Sequence, residues 1–212
     1  MDINIFKDDF SQKLDLNFSN NSKYFEFNST IFSDLKSQVF EINKCIILEL
    51  YHTSITSTNN LLERLLKLSL IYNETGISPI EPEKLDDVFS PPNKKYSSMV
   101  MKDTIKLCLE YNLIIENEFK FLDERVRDFF RNGFSHADTS KTMKNVPEKT
   151  QMYFGNFSNP NVMKPIDLNT KSIPMFQSII LNEISKKNAQ IYFHNVYALI
   201  LNIDYRLKQK FK

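Results

Sequence analysis

Glycine is scarce in this sequence: Gly76, Gly133 and Gly155 are the only three in 212 residues. Loops that cradle phosphate set several glycines close together, because backbone must reach the ligand with no Cβ in the way. P-loop and dinucleotide-binding architectures are therefore excluded, and helices are the expected scaffold. Cysteine is nearly as rare. Cys45 and Cys108 each fall inside an apolar helical pattern, read as small buried hydrophobes, and point to no oxidising compartment. Three histidines without clustered ligand spacing suggest no zinc site, and no cofactor or metal is expected. No apolar run approaches the roughly 18 residues that span a bilayer, and the N-terminus lacks the basic, apolar and small-residue pattern of a signal peptide. The expectation is a cytoplasmic protein with no membrane partner.

What is present suffices for a core: 42% of residues are apolar, 13% aromatic and 25% charged, in a chain of single-domain size. Residues 1–30 are polar, aromatic and asparagine-rich without a sustained period, and read as an irregular segment. From Phe32 the apolar positions Phe32, Leu35, Val39, Ile42, Ile46 and Leu50 step by three and four along one helix face. Asn59 or Asn60 is placed to cap a second helix carrying Leu61, Leu62, Leu65, Leu66, Leu68 and Ile71, which Gly76 stops. The proline-rich, acidic stretch 78–93 reads as a loop. A third helix presents Met101, Ile105, Cys108 and Leu109. A fourth, from near Asn117, presents Phe119, Leu122, Val126, Phe129 and Phe130. Residues 138–173 lose the helical pattern and read as a long irregular loop holding a small hairpin or a functional flap. Ser172 and Pro174 open a last helix to about residue 208, apolar nearly all round from Ile191 to Ile203. The fold class is all-α: a bundle of about five main helices over residues 31–212, with loop 138–173 included.

The net charge of +1 hides an asymmetry. Residues 1–135 carry 16 basic and 21 acidic side chains, a net of −5, and residues 136–212 carry 11 and 5, a net of +6. The terminal group Arg206, Lys208, Lys210 and Lys212 reads equally as a phosphate-tracking end or as cations complementing a helix dipole. On the loop, Lys141 and Lys144 are weak candidates for substrate binding, as is Arg127, although Asp123 one turn away is a ready partner for it.

The strongest signal is Phe129-Phe130-Arg131-Asn132-Gly133-Phe134-Ser135-His136-Ala137-Asp138. RNA carries its own nucleophile, the 2′-hydroxyl, so its cleavage needs proton transfer and stabilisation of charge on phosphate. Histidine has both protonation states available near neutral pH. Arginine offers a permanently charged fork for two phosphate oxygens. Asn132 stands one helical repeat before His136, placed to orient it. Structural readings exist for each residue: Arg131 pairing with Asp128 or Glu124, His136 as a helix-end cation, and Asn132-Gly133 as a stop signal. Glu63 reads as a solvent-facing carboxylate, and His52 and His194 as packing or capping residues.

Arg131, Asn132 and His136 resemble the R-N-x3-H form of the arginine-(four to six residues)-histidine signature of the HEPN superfamily. The preceding segment Leu61 to Lys67 resembles that family's helical hairpin. The resemblance covers roughly residues 30–138 and implies a metal-independent endoribonuclease, a hydrolase of the toxin–antitoxin or anti-phage defence class. It implies Arg131, Asn132 and His136 as catalytic residues, RNA as substrate, and an antitoxin or defence-complex protein as partner. Five residues of an ideal α-helix turn Arg131 and His136 about 140° apart. Either Gly133 ends the helix and turns His136 back, or two chains form a composite site as a homodimer, the arrangement the resemblance implies. The alternative is a non-catalytic nucleotide- or RNA-binding dimerisation module that partners a nucleotidyltransferase or a defence complex.

Overall fold

Leucines at steps of three and four make residues Tyr51–Thr75 the central helix, α3, of the computed structural model, which describes residues 2–135, 139–154 and 164–212. Leu61, Leu62, Leu65, Leu66 and Leu70 are fully buried on it, each contributing about 1.5–3 kcal/mol through removal from water. Gly76 ends α3 at φ 78°, a left-handed conformation that favours glycine, and its N–H bonds the Tyr72 carbonyl at 2.9 Å. The preceding helix α2, Lys36–Ile47, buries Val39, Ile42 and Ile46, as the apolar steps predict. The long helix α8, Pro174–Lys210, starts with proline at its first turn and lies along α3. Tyr192, Phe193, Val196, Leu199, Ile200 and Ile203 of α8 are buried against the neighbouring helices. Its nearly all-round apolar stretch is thus largely absorbed within the chain.

Three expectations from the sequence require correction. Residues 1–30 are not irregular, since Ile3–Asn21 form helix α1. Its start is set by Asp2, whose carboxylate accepts from the Asn4 N–H at 3.0 Å, and its end is tied down by Asn17 Nδ2 donating to the Ile47 carbonyl at 3.0 Å. Because Phe6, Phe10, Leu14 and Phe18 remain exposed, no buried face imposes a period on the sequence. The core also begins earlier than Phe32: Tyr24 and Phe27 are buried, and Tyr24 OH meets His194 Nδ1 at 2.9 Å.

The second correction concerns the start of α3, which is Tyr51 rather than Asn59 or Asn60. Glu49, at φ 61°, lies in the short link from α2. The third is the supposed loop 78–93. After a 3-10 turn at Pro82–Lys84 it forms helix α4, Leu85–Ser97, with Pro91 and Pro92 inside. An interior proline costs about 3 kcal/mol. Docking on α3 offsets it: Pro92 and Tyr96 are buried, Phe89 packs edge-on against Tyr72, and Tyr96 OH and Lys95 Nζ both donate to Glu74 Oε2.

Region 138–173, expected as an irregular loop holding a small hairpin or a functional flap, does contain an antiparallel strand pair. Its described residues hold helix α7, Thr139–Thr142, and strands β1, Lys149–Phe154, and β2, Lys164–Asn169. The strands pair antiparallel, with Met152 opposite Ile166 and Tyr153 opposite Pro165. Residues 155–163, including Gly155, lie outside the described residues.

Helix α5, Met101–Glu110, buries Met101, Ile105 and Cys108, as predicted. The short α6, Glu116–Lys120, then runs directly into a π-helix, Phe121–Ser135. Leu122, Val126, Phe130 and Phe134 bury at steps of four along it. Helices bonded i→i+5 are rare and usually a single turn long, so fifteen residues of such winding depend on outside support. Among the described residues, no helix is long and apolar enough to cross a membrane.

The C-terminal cations serve the fold. Arg206 bonds both Glu118 oxygens and the Leu113 carbonyl, Lys208 pairs with Asp204, and Lys210 Nζ donates to Asn73 Oδ1. The buried Asp204 accepts from Ser29 Oγ at 2.6 Å and from the Thr30 and Ile31 N–H groups, clipping the chain before α2 onto α8. Burial alone would raise the Asp204 carboxyl, but Lys208, Ser29 and the Ile31 N–H outweigh it and hold it below the usual carboxylate range. Its folded pKa is thus depressed, so its stabilisation is present above the unfolded value and fades as pH falls through the folded one. Urea midpoints measured from pH 6 to pH 3 are expected to fall on acidification, and Asp204→Asn is expected to flatten part of that slope. An unchanged slope would contradict this assignment.

Candidate functional site

Asn59 and Glu63 stand four residues apart on α3 and therefore share one of its faces. They grip consecutive residues of the π-helix. Asn59 Nδ2 donates to the Phe130 carbonyl at 3.0 Å, and Arg131 Nε donates to Glu63 Oε1 at 2.5 Å. From α8, Tyr192 OH donates to Asn59 Oδ1 at 2.7 Å, and its ring lies flat on that of Phe130, with centroids 4.1 Å apart and planes 2° from parallel. Burial, with the Glu63 carboxylate adding to it, pushes the Tyr192 phenol well above its usual pKa, so it stays a neutral donor. Three helices are thereby fixed at the residue just before Arg131.

This geometry places the residues that the sequence singles out. Arg131 is half-buried and pairs across the bundle with Glu63, rather than with Asp128 or Glu124 on its own helix. Glu63 is accordingly not a purely solvent-facing carboxylate. It occupies Arg131 Nε and leaves the terminal guanidinium nitrogens without a hydrogen bond among the described residues. The half-buried Asn132 likewise makes no hydrogen bond among the described residues. His136 lies outside the described residues, and so does Asp138. Arg127 pairs with Asp123 on its own helix at 2.9 Å. Lys144 lines a cleft described below, whereas the side chain of Lys141 is outside the description.

Gly133 does not end the helix, which continues to Ser135. The ideal α-helical angle between Arg131 and residues beyond it does not apply here either, because i→i+5 bonding widens each turn and brings residues four and five apart toward one face. The absence of a side chain at Gly133 has a different use. A Cβ there would sit 2.3 Å from Thr142 Cγ2, so glycine lets α7 close against the π-helix.

A cleft of about 490 Å³ opens beside this platform, between the π-helix, α8 and the segment after α7. Its walls include Phe129, Tyr192 and Ile191, the cations Arg125 and Lys144, and the carboxylates Glu124 and Asp128. Arg131 does not line it. The π-helix thus turns one flank toward α3 with Arg131 and another toward α8 with the cleft. Among the described residues, no group of three or more histidine, cysteine or acidic side chains is arranged to hold a metal ion.

Sequence reasoning missed Asn59, Glu63 and Arg125. Asn59 and Glu63 carried a usable signal, two polar residues at i and i+4 inside a leucine-rich helix. Arg125 carried none, because only the fold distinguishes it from Arg127. Comparison of the chain with protein-family models, with curated proteins and with solved structures finds no match in any of the three.

Two stability measurements follow from these contacts. Asn59→Ala strips the partner from the buried Tyr192 hydroxyl and removes the bond to the Phe130 carbonyl, so a loss of about 2 kcal/mol or more is expected by urea denaturation, against about 1 kcal/mol for Tyr192→Phe. Equal losses in the two variants would argue against the bridge. Gly133→Ala is expected to lower the melting temperature by several degrees, and Thr142→Ser, which keeps the hydroxyl and removes Cγ2, is expected to restore part of it. No recovery in the double variant would show that the Cβ clash with Thr142 is not the cause.

Proposed function

We propose that the chain is a metal-independent endoribonuclease of the HEPN type, cleaving single-stranded or loop RNA as a toxin or anti-phage defence effector. The observation that carries this reading is the state of Arg131. Glu63 fixes its Nε while the terminal nitrogens remain available, so a pre-oriented fork can meet two phosphate oxygens without reorganising. The helical architecture and the rigid seating of Phe130 support it. In this mechanism the 2′-hydroxyl oxygen attacks phosphorus as His136 takes its proton. The bond to the 5′-oxygen breaks, that oxygen is protonated, and a 2′,3′-cyclic phosphate remains. Arg131 stabilises the charge that builds on the equatorial oxygens, and Asn132 orients His136 or a phosphate oxygen. Positioned acid–base catalysis contributes about 10²- to 10⁴-fold.

A second reading rests on the same ion pair. Because Glu63 offsets the charge of Arg131, a role in holding the bundle together accounts for that residue without catalysis. The chain would then be a nucleotide- or RNA-binding dimerisation module for a nucleotidyltransferase or a defence complex. Cleavage assays separate the two readings. His136→Ala or Arg131→Ala is expected to slow cleavage of a labelled single-stranded RNA at least 100-fold, with helical circular dichroism preserved and wild-type cleavage continuing in EDTA. Loss of activity in EDTA with recovery on adding a divalent metal would overturn the mechanism. If a homodimer forms composite sites, mixing the two inactive variants restores about a quarter of wild-type activity, since half of the chains' dimers are mixed and each carries one intact site. No restoration would place the whole site within one chain.

A further inference from the structure

The chain has five arginines, and four of them are spent on carboxylates: Arg64 on Asp34, Arg127 on Asp123, Arg131 on Glu63 and Arg206 on Glu118. The fifth, Arg125, has no ion pair among the described residues and lines the cleft between the π-helix and α8. Lys144, on the opposite side of the sequence motif, lines the same cleft and is also unpaired among the described residues. Two cations without an ion pair among the described residues that line one cavity are candidates to share an anion.

The remaining walls define what the anion is attached to. A cavity of about 490 Å³ falls within the range of small-ligand sites. Phe129 and Ile191 give it an apolar side on which a planar ring can lie. Asn145 and Asn195 open on it with amides that make no hydrogen bond among the described residues, suited to the edge of a base. Glu124 and Asp128 offset the two cations, so the lining suits one phosphate group rather than a polyphosphate, and the carboxylates accept from ribose hydroxyls or exocyclic amines.

We infer that this cleft is a nucleoside-monophosphate site, with the phosphate held by Arg125 and Lys144 and the base lying on the apolar wall among Asn145 and Asn195. The ligand is either one nucleotide of a single-stranded RNA or a free mononucleotide, since both present the same chemistry. In the first case the inference rests on the ribonuclease reading and supplies a subsite on the flank of the π-helix away from Arg131. In the second it stands without that reading.

The test uses the full-length His136→Ala chain, so that RNA is not consumed, and measures binding of a fluorescein-labelled ten-nucleotide single-stranded RNA by anisotropy. AMP, GMP, CMP, UMP, ATP and inorganic phosphate serve as competitors, with the monophosphates also titrated calorimetrically. Arg125→Gln and Lys144→Gln are each expected to weaken binding at least fivefold and to lower the slope of log affinity against log salt by about 1, while Lys102→Gln on α5 leaves binding unchanged. If the ligand is the free nucleotide, at least one monophosphate is expected to bind more tightly than ATP or inorganic phosphate. RNA binding without competition by any monophosphate identifies the strand as the source, and calorimetric binding of a monophosphate identifies the free nucleotide. The inference is overturned if neither RNA nor a monophosphate binds, or if the Arg125→Gln/Lys144→Gln double variant binds as its parent does. Cleavage by otherwise wild-type protein separates the two hypotheses: full cleavage by the double variant with unaltered RNA affinity sinks the cleft and spares the ribonuclease, whereas Arg125-dependent binding with no cleavage by wild type does the reverse.

Discussion

One face of α3 determines the shape of the molecule around its candidate site. Asn59 and Glu63, four residues apart, hold the Phe130 carbonyl and the Arg131 side chain, and Tyr192 closes the arrangement from α8 by bonding Asn59 and stacking on Phe130. Without these contacts the fifteen-residue π-helix would have little reason to persist, since i→i+5 winding is uncommon and short when left to itself. The Asn59 bridge is buried, so each of its groups would be costly to leave unpaired, and this makes the junction a single cooperative unit. The partly exposed Arg131–Glu63 pair adds little stability by itself. Its consequence is orientation, because it fixes one nitrogen of the guanidinium and leaves the outer two for another ligand.

The same logic runs through the other charged groups. The basic C-terminal end, which in sequence reads equally as a phosphate-tracking end or as cations complementing a helix dipole, is largely engaged within the chain: Arg206 pairs with Glu118, Lys208 with Asp204, and Lys210 donates to Asn73. The Arg206 and Lys210 contacts fasten the end of α8 to α6 and α3, and Asp204 holds the segment before α2. Cations without such partners then stand out, and Arg125 with Lys144 at the cleft are the clearest instance among the described residues. The two flanks of the π-helix consequently differ, one carrying an oriented arginine and the other an open cleft of mixed polar and apolar lining.

The helices that bury a continuous apolar face were legible in the sequence. The steps of α2, α5 and α8, the leucines of α3 and the glycine stop at Gly76 all follow from burial and backbone geometry. Elements that lack such a face were not. Helix α1 leaves Phe6, Phe10, Leu14 and Phe18 exposed, so nothing imposes a period on it, and α4 keeps two prolines because its docking on α3 outweighs their local cost. The β1–β2 pair is short, with little alternation, so the sequence offered a small hairpin there beside a functional flap without bounding its strands.

For the candidate site, the sequence by itself determined the residue types: an arginine, an asparagine and a histidine at a spacing that suits phosphate chemistry, at the end of an amphipathic helix. It could not determine their surroundings. The π-helix is held by a non-local partner, Asn59, which lies 71 residues before Phe130 in the chain. Partner choice is equally non-local: Arg131 has acidic residues at hand on its own helix and takes Glu63, 68 residues away, while Arg125 takes none among the described residues. Local periodicity reports which side chains leave water. Only tertiary packing decides which of the remaining charges meet one another and which are left facing a cavity.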